Sequence, residues 1–474
     1  MFNSTVELLE FIRRENVKFV DVRFSDLIGT QHHFTMPAHR VTEASLDAGI
    51  MFDASSLPGF KAIHESDMKL APDVATAYKD YFRDTATIAM TASVVNPVDN
   101  TPYERDPRYV AVKSEEHLRS TGIADTCYVG AEAEFYLFDS IRYRISPERT
   151  FYEIDSRSAP WNADLKASEG NLGHKMLFKS GYTPISPLDH FADVRDAISL
   201  QLEDVGLEVE RAHHEVGAAA QQEINYKFAP LVKAADDMQK FKYVVKNEVL
   251  RHGLSATFMP KPVLGDNGSG MHTHVSLWRQ GEPLFADPAG YGGLSQDAMW
   301  FIGGLLHHAP ALLAFTNPTI NSFRRLIPGF EAPVALVYSE GNRSACVRIP
   351  LTGFSAKAKR IEYRIPDGSA NPYLAFASIL MAGLDGIENQ IDPGDPVDED
   401  LYEMPREELN QISRLPHSLE SAFRRLEADH DFLTKGGVFT EDLLEALVKL
   451  KYEREIDPVR TMPHPMEFQL YYGV

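Results

Sequence analysis

Four short segments of this 474-residue chain set carboxylates, imidazoles or guanidiniums at alternate positions. In Gly130-Ala131-Glu132-Ala133-Glu134-Phe135-Tyr136-Leu137, an extended backbone puts Glu132 and Glu134 on one side and Ala133, Phe135 and Leu137 on the other. Glu223 sits among strand formers in Gln221–Tyr226, and Glu215 lies eight residues earlier, behind His213-His214. His272 and His274 share a side in Met271–Ser276, and Arg360 and Arg364 flank Glu362. Paired carboxylates inside β segments are costly to bury without a compensating cation. Glu132, Glu134, Glu215, Glu223, Glu362 and His272 form a mostly oxygen-donor set, which suits Mg²⁺ or Mn²⁺ better than Zn²⁺. The plainer alternative is a set of outward faces on half-exposed strands, and it weakens as the segments multiply.

Two further signals lie nearby. Lys261 to His272 is a Gly-rich loop that runs into the His272-x-His274 strand. It lacks the Gly-Lys-Ser/Thr of a Walker loop, but its glycines let backbone N–H groups approach an anion. An ordinary turn would explain the glycines and not the histidines. Arg324, Arg325, Arg343, Arg348, Arg360 and Arg364 crowd a stretch whose lysines are Lys357 and Lys359. Surface solvation would use Lys as readily as Arg, whereas planar guanidinium forks clamp carboxylates and phosphoryl oxygens. Divalent metal sites beside concentrated arginine point to phosphoryl transfer involving a carboxylate substrate.

These segments need a scaffold. Ser4-Thr5-Val6-Glu7 has capping-box spacing ahead of an apolar helix face, and Val17–Phe24 reads as a strand. A Pro/Asp/Asn cluster at Asn96–Pro102 closes a first unit. Helices are expected over Pro107–Ser120 with Gly122 as stop, over Leu231–Arg251 before Gly253, and from Ser295 to His308 before Pro310. Another starts at Asn371-Pro372, apolar all round and so expected to be buried. Ile391–Met404, acidic and Pro-rich, reads as an exposed loop. With 47 basic against 68 acidic residues the net charge is −21, which argues against a nucleic-acid backbone as partner. Two cysteines, Cys127 and Cys346, fit a reducing compartment. No signal peptide is read at the N-terminus, and the longest apolar stretch noted, Pro372–Leu384, is short of the roughly 20 residues that span a membrane. The expectation is a soluble cytoplasmic protein with no membrane partner.

Taken in order, these motifs resemble bacterial type I glutamine synthetase in its longer, actinobacterial-like form. The matches are Phe52-Asp53-Ala54-Ser55-Ser56, Glu132-Ala133-Glu134, His213-His214-Glu215, Gln221-Gln222-Glu223, Lys261-Pro262 through His274, Arg325 through Pro333, Asn342-Arg343-Ser344-Ala345 and Asn371-Pro372-Tyr373. The resemblance implies an α+β protein: an N-terminal β-grasp-like domain over 1–104 and a catalytic domain over 105–474 built on a curved antiparallel sheet. It also implies a dodecamer of two six-membered rings with sites shared between subunits. The implied reaction joins ammonia to the γ-carboxylate of L-glutamate at the expense of ATP, through γ-glutamyl phosphate.

By the same resemblance, Glu134, Glu215 and Glu223 hold one of two metals, and Glu132, His272 and Glu362 hold the other. Asn267, Gly268, Arg325 and Arg364 bind glutamate. Phe228 and Ser276 face adenine, and His213, His274, Arg348, Lys357 and Arg360 complete the nucleotide site. Arg343 faces the transferring phosphoryl group, and Glu331 belongs to a flap. Asp53 deprotonates ammonium in a pocket with Ser56, Tyr182 and Glu215, and Tyr402 accepts AMP from an adenylyltransferase. Ala54, Leu57-Pro58, Ala220, Arg324 and Gly341 depart from the usual pattern without removing a ligand. Alternatives of the same fold are a γ-glutamyl-amine ligase and an inactive scaffold or regulator.

Overall fold

The computed structural model describes residues 2–330, 332–353, 355–399, 401, 404, 406–409 and 412–474. The first unit is a six-stranded sheet of β1 (Phe19–Ser25), β2 (Gln31–Pro37), β3 (Ile50–Asp53), β4 (Asp67–Pro72), β5 (Tyr78–Asp80) and β6 (Thr87–Val95). Its order is β2-β1-β6-β4-β3 with β5 also on β6. The β1–β6 pair is parallel and the others are antiparallel. Val20, Val22, Ile88, Met90 and Leu70 are fully buried. β3, ending in Asp53, forms one edge.

The second unit begins with the helix Pro107–Thr121, capped by Asp106 and stopped by Gly122 in the left-handed conformation. It carries the central antiparallel strand β7 (Thr126–Phe138), then an exposed hairpin of β8 (Ser140–Ser146) and β9 (Arg149–Asp155). Next come β10 (Val209–His214), β11 (Gln221–Tyr226), β12 (Ala229–Pro230), β13 (Ser255–Thr257), β14 (Met271–Arg279), β15 (Glu282–Pro283), β16 (Tyr338–Glu340), β17 (Val347–Ile349) and β18 (Ile361–Tyr363). The main path is β10-β11-β7-β14-β18-β17-β16, antiparallel except for β16–β17. The alternation of β7 holds: Ala133, Phe135 and Leu137 are fully buried beneath the sheet, Phe and Leu each contributing roughly 1.5–3 kcal/mol.

The helices Gln296–Thr316 and Pro372–Glu388 form the deepest layer. The second is buried on every side, as its all-round apolar sequence predicts. They meet at glycines: a Cβ on Gly304 would fall 2.1 Å from the Ala382 carbonyl oxygen. The first helix corrects two expectations. It does not stop at His308 but runs through Pro310 to Thr316. Pro310 forfeits one backbone bond, a cost of about 3 kcal/mol, but Ala311 to Phe315 are all buried and packing outweighs it. It also exceeds Pro372–Leu384 as an apolar stretch and is long enough to cross a membrane, yet 78% of its apolar window is buried inside the protein, as in a core helix.

Smaller differences follow from local bonding. Ser4 caps the first helix, Thr5–Arg14, by accepting from the Glu7 N–H at 3.2 Å, but the Glu7 carboxylate reaches back to Asn3 N–H rather than to Ser4. Residues 391–399 lie in no helix or strand, yet Leu401 is buried with Ala335, Val337 and Ala345.

Candidate active site

Strand register assembles the chemistry. Glu132 lies opposite His272, Glu134 opposite Glu223, Glu223 opposite His213, His274 opposite Glu362, and Glu362 opposite Arg348. Six strands thus carry one continuous row of charge on the face away from the apolar core. This row is not the half-exposed surface of the plainer alternative. Glu134 is 8% exposed, Glu223 4%, Glu362 1% and His272 8%, because loops and arginines cover the sheet here.

Two groups within the row can take a cation. Single ligand atoms of Glu132, His272 and Glu362 lie within 4.8 Å of one another, as do those of His213, Glu215 and Glu223. The first group has its own counter-charges: Arg364 donates to Glu362 Oε1 at 2.7 Å and Arg348 Nε donates to Oε2. Burial pushes the Glu362 carboxyl up, but Arg364, His274, His272 and Arg348 outweigh it and hold it at about 2. Burial likewise acts on Glu132, and His272 and His274 overcome it and keep that carboxyl far below the usual range. His274 Nδ1 accepts from Arg360 Nε at 3.2 Å, and its Nε2 lies 3.1 Å from Glu132 Oε1. In the second group His213 lies 3.7 Å from Glu215 and 3.6 Å from Glu223, and the nearby Glu223 carboxylate raises its pKa. Buried and half-buried carboxylates clustered with an imidazole are the donor chemistry of a hard divalent cation.

The family resemblance placed Glu134, not His213, with Glu215 and Glu223. In the structure Glu134 opposes Glu223 across the strands, and its Oε2 accepts from Gln221 Nε2 and the Gly270 N–H, both at 2.9 Å. Burial pushes its carboxyl up and Glu223 adds to that, against the pull of His272 and Arg325. Gln221 is a residue that sequence reasoning missed. Its amide also donates to the Gly268 carbonyl, so it ties β7 to the Gly-rich loop. Tyr136 is another: its hydroxyl donates to the Asn267 carbonyl at 2.6 Å. Both were legible in principle, since Gln221 shares a face with Glu223, and Tyr136 with Glu134.

The Gly-rich loop closes on Arg325. A Cβ at Gly268 would lie 2.9 Å from Arg325 Cγ, and one at Gly270 would lie 2.6 Å from its terminal nitrogen. Arg325 donates to the Ile365 carbonyl at 2.7 Å and the Arg364 carbonyl at 3.2 Å. Asn267, Gly268, Arg325 and Arg364 therefore gather beside the row.

Beside the middle of the row a cavity of about 500 Å³ is lined by Phe228, His274, Ser276, Lys357 and Arg360, all of which the family resemblance assigned to a nucleotide. Tyr128, Glu210, Arg211 and Trp278 join them and were not foreseen. Phe228 meets Tyr128 edge-on at 5.3 Å, which gives the cavity an aromatic wall. Glu132 lines this cavity and belongs to the first cation group. His213 and Arg348 sit in the row of charge rather than on the cavity wall.

The residues assigned to ammonium are divided. Tyr182 packs its ring edge-on against His213 at 5.5 Å, beside Glu215. Asp53 and Ser56 lie at the edge of the N-terminal sheet. Asp53 is exposed and accepts from Ser55 N–H at 2.9 Å, Ser55 Oγ at 2.6 Å and Ser56 Oγ at 3.1 Å, and the Ser55 hydroxyl foremost holds its carboxyl below the usual range. Those bonds are local and do not reach the charged row. Arg343 is exposed on the loop between β16 and β17. Glu331 and Tyr402 lie outside the described residues. Among the departures, Ala54 is fully buried, Arg324 is exposed, and Gly341 has φ 77. Ala220 has φ 76, in the left-handed region that favours glycine, which accounts for glycine being usual there.

A family model described as "Glutamine synthetase, beta-Grasp domain" matches residues 16–97, and one described as "Glutamine synthetase, catalytic domain" matches residues 104–471. The chain is 55% identical over 474 residues to a glutamine synthetase of Frankia alni, covering all of both chains. It is 56% identical over 474 residues to one of Streptomyces coelicolor, again covering all of both. Among solved structures it superposes on a Plasmodium falciparum glutamine synthetase with TM-score 0.91 and 30% identity, covering 99% of each chain. With both domains matched and the charged row built as described, the chain belongs to the glutamine synthetase family.

Proposed function

We propose that the chain is a glutamate–ammonia ligase that forms L-glutamine from L-glutamate, ammonium and ATP. One observation carries the chemical reading: Glu132 is at once a wall of the aromatic-sided cavity and a member of the first cation group. A nucleotide in that cavity would point its phosphates at the cation ligands.

A free carboxylate is a poor acyl donor, so the γ-carboxylate must first be phosphorylated. Two divalent cations, Mg²⁺ or Mn²⁺, held by Glu132, His272 and Glu362 and by Glu215, Glu223 and Glu134 or His213, would neutralise and align the phosphates. Phe228 and Ser276 would take the adenine, and His274, Arg348, Lys357 and Arg360 the rest of the nucleotide. Asn267, Gly268, Arg325 and Arg364 would bind glutamate, their planar forks matching its carboxylates. Arg343 would meet the transferring phosphoryl group, and Glu331 would help exclude water, which competes for the acyl phosphate. Asp53, with Ser56, Tyr182 and Glu215, would attract ammonium and take its proton, so that ammonia attacks and phosphate leaves. Because Asp53 does not meet the charged row of its own chain, the shared-site dodecamer implied by the family supplies the geometry for this step.

The test is phosphate release by the purified protein with ATP, Mg²⁺ and glutamate, comparing ammonium with a panel of amines. Ammonium should be preferred and glutamine should accumulate in step with phosphate. Turnover with an organic amine but none with ammonium would replace this reading with the γ-glutamyl-amine ligase.

A further inference from the structure

The turn that follows Asp53 and Ser56 is pinned from outside its own sheet. Arg105 donates from one terminal nitrogen to the carbonyl oxygens of Gly59 and Phe60, both at 2.8 Å. Its Nε and other terminal nitrogen grip Asp442 at 2.6 and 2.5 Å. Tyr103 Oη donates to the same Phe60 carbonyl at 2.7 Å. Gly59 has φ 79, and a Cβ there would come within 3.1 Å of Leu27 and 3.2 Å of Leu450. Asp442 and Leu450 both belong to the helix Glu441–Lys451. One planar fork thus spends four N–H bonds on two carbonyls and a carboxylate, locking a turn of the N-terminal unit to a helix near the C-terminus.

Asp53 itself is exposed, and its carboxylate accepts from its neighbours Ser55 and Ser56. Its reach is therefore set by the two ends of its segment. One end is the β3–β4 pairing, where Asp53 opposes Asp67. The other is the turn held by Arg105. Asp442 has a side chain 56% exposed, so the ion pair contributes about 1 kcal/mol or less to stability. Its consequence is geometric.

We propose that Arg105 and Asp442 are positioning residues for the amine step, fixing the height and angle at which the Asp53–Ser56 segment is presented. The proposal rests on the reading that Asp53 acts on ammonium. The test uses the full-length protein with Arg105→Gln, Asp442→Asn, Asp442→Glu and Asp53→Asn, measuring KM for ammonium, glutamate and ATP, and turnover with hydroxylamine, which is largely neutral near pH 7. Arg105→Gln and Asp442→Asn should raise the ammonium KM roughly tenfold while the KM values for glutamate and ATP stay near wild type. Hydroxylamine turnover should suffer less, and Asp442→Glu, which keeps the grip, should recover most of the loss. Equal losses toward all three substrates would mark a purely structural contact and overturn the proposal. A normal ammonium KM in Arg105→Gln beside a raised one in Asp53→Asn would overturn the clamp alone. An unaltered ammonium KM in Asp53→Asn would overturn the amine role of Asp53 and the clamp with it.

Discussion

Replacing Glu362 by Gln keeps the side-chain shape and removes one charge from the most enclosed point of the row. Glu362 is 1% exposed and is gripped by Arg348 and Arg364. Its carboxyl falls from an ordinary 4.5 to about 2 in the folded protein, which corresponds to about 3 kcal/mol of stabilisation at neutral pH. Breaking a buried pair by removing one partner costs about 3–5 kcal/mol, so the two figures agree. Across a catalytic domain of about 370 residues this lowers the melting temperature by about 4 °C. The sign with pH follows from a depressed pKa. The stabilisation is present above about pH 4.5 and is lost as pH falls through about 2, so wild type and variant should converge over that window. Scanning calorimetry at one protein concentration and scan rate, in EDTA so that no cation contributes, measures the difference directly. A variant that melts at or above the wild-type temperature in EDTA at pH 7 would refute the account, because Arg348 and Arg364 would then be adequately solvated without Glu362.

Three further outcomes are expected. Glu134→Ala should abolish Mg²⁺-dependent phosphate release while the chain still folds, and near-normal release at low Mg²⁺ would remove Glu134 from the cation-binding set. Ala220→Gly relieves a left-handed alanine, worth about 1–2 kcal/mol, but gives up a buried methyl and adds unfolded-state freedom of similar total size. Its melting temperature should therefore stay within about 2 °C of wild type, and a larger drop would mean that the methyl is needed for packing. Tyr402 should gain an AMP-sized mass increment in cells under nitrogen excess, and its absence with the adenylyltransferase demonstrably present would dismiss the modification.

The parts of this molecule legible in the sequence are those where one physical rule acts alone. Period-two alternation placed Glu132 and Glu134 opposite the buried Ala133, Phe135 and Leu137, and a cap followed by proline located the helix after Asn371. Rules in competition were harder to read. Pro310 argued for a helix end, but the apolar residues beyond it continue into the core. The pairing that hands one oxygen of Glu134 to Gln221 and Gly270 depends on strands and a loop meeting, which no local pattern shows. The Arg105–Asp442 grip joins residues more than 300 positions apart, and no local pattern announces it. The family resemblance supplied roles for Asp53 and Arg343 that neither periodicity nor composition provides.

The order of strands in the large sheet also sets a timetable for the cation sites. Glu132 is made early, yet its partner Glu362 stands on β18, inserted between β14 and β17 and 230 positions later. At about 5–20 residues per second, a ribosome takes roughly ten seconds to most of a minute to cover that interval. Throughout it the nascent chain carries acidic strands whose last wall does not yet exist. Although the second group, His213, Glu215 and Glu223, is complete well before β18 is made, a cation at the Glu132, His272 and Glu362 site cannot act as a seed for this sheet. It can only reward a sheet that is already closed, so a chain truncated before Ile361 would lack this cation site however well its earlier strands had paired.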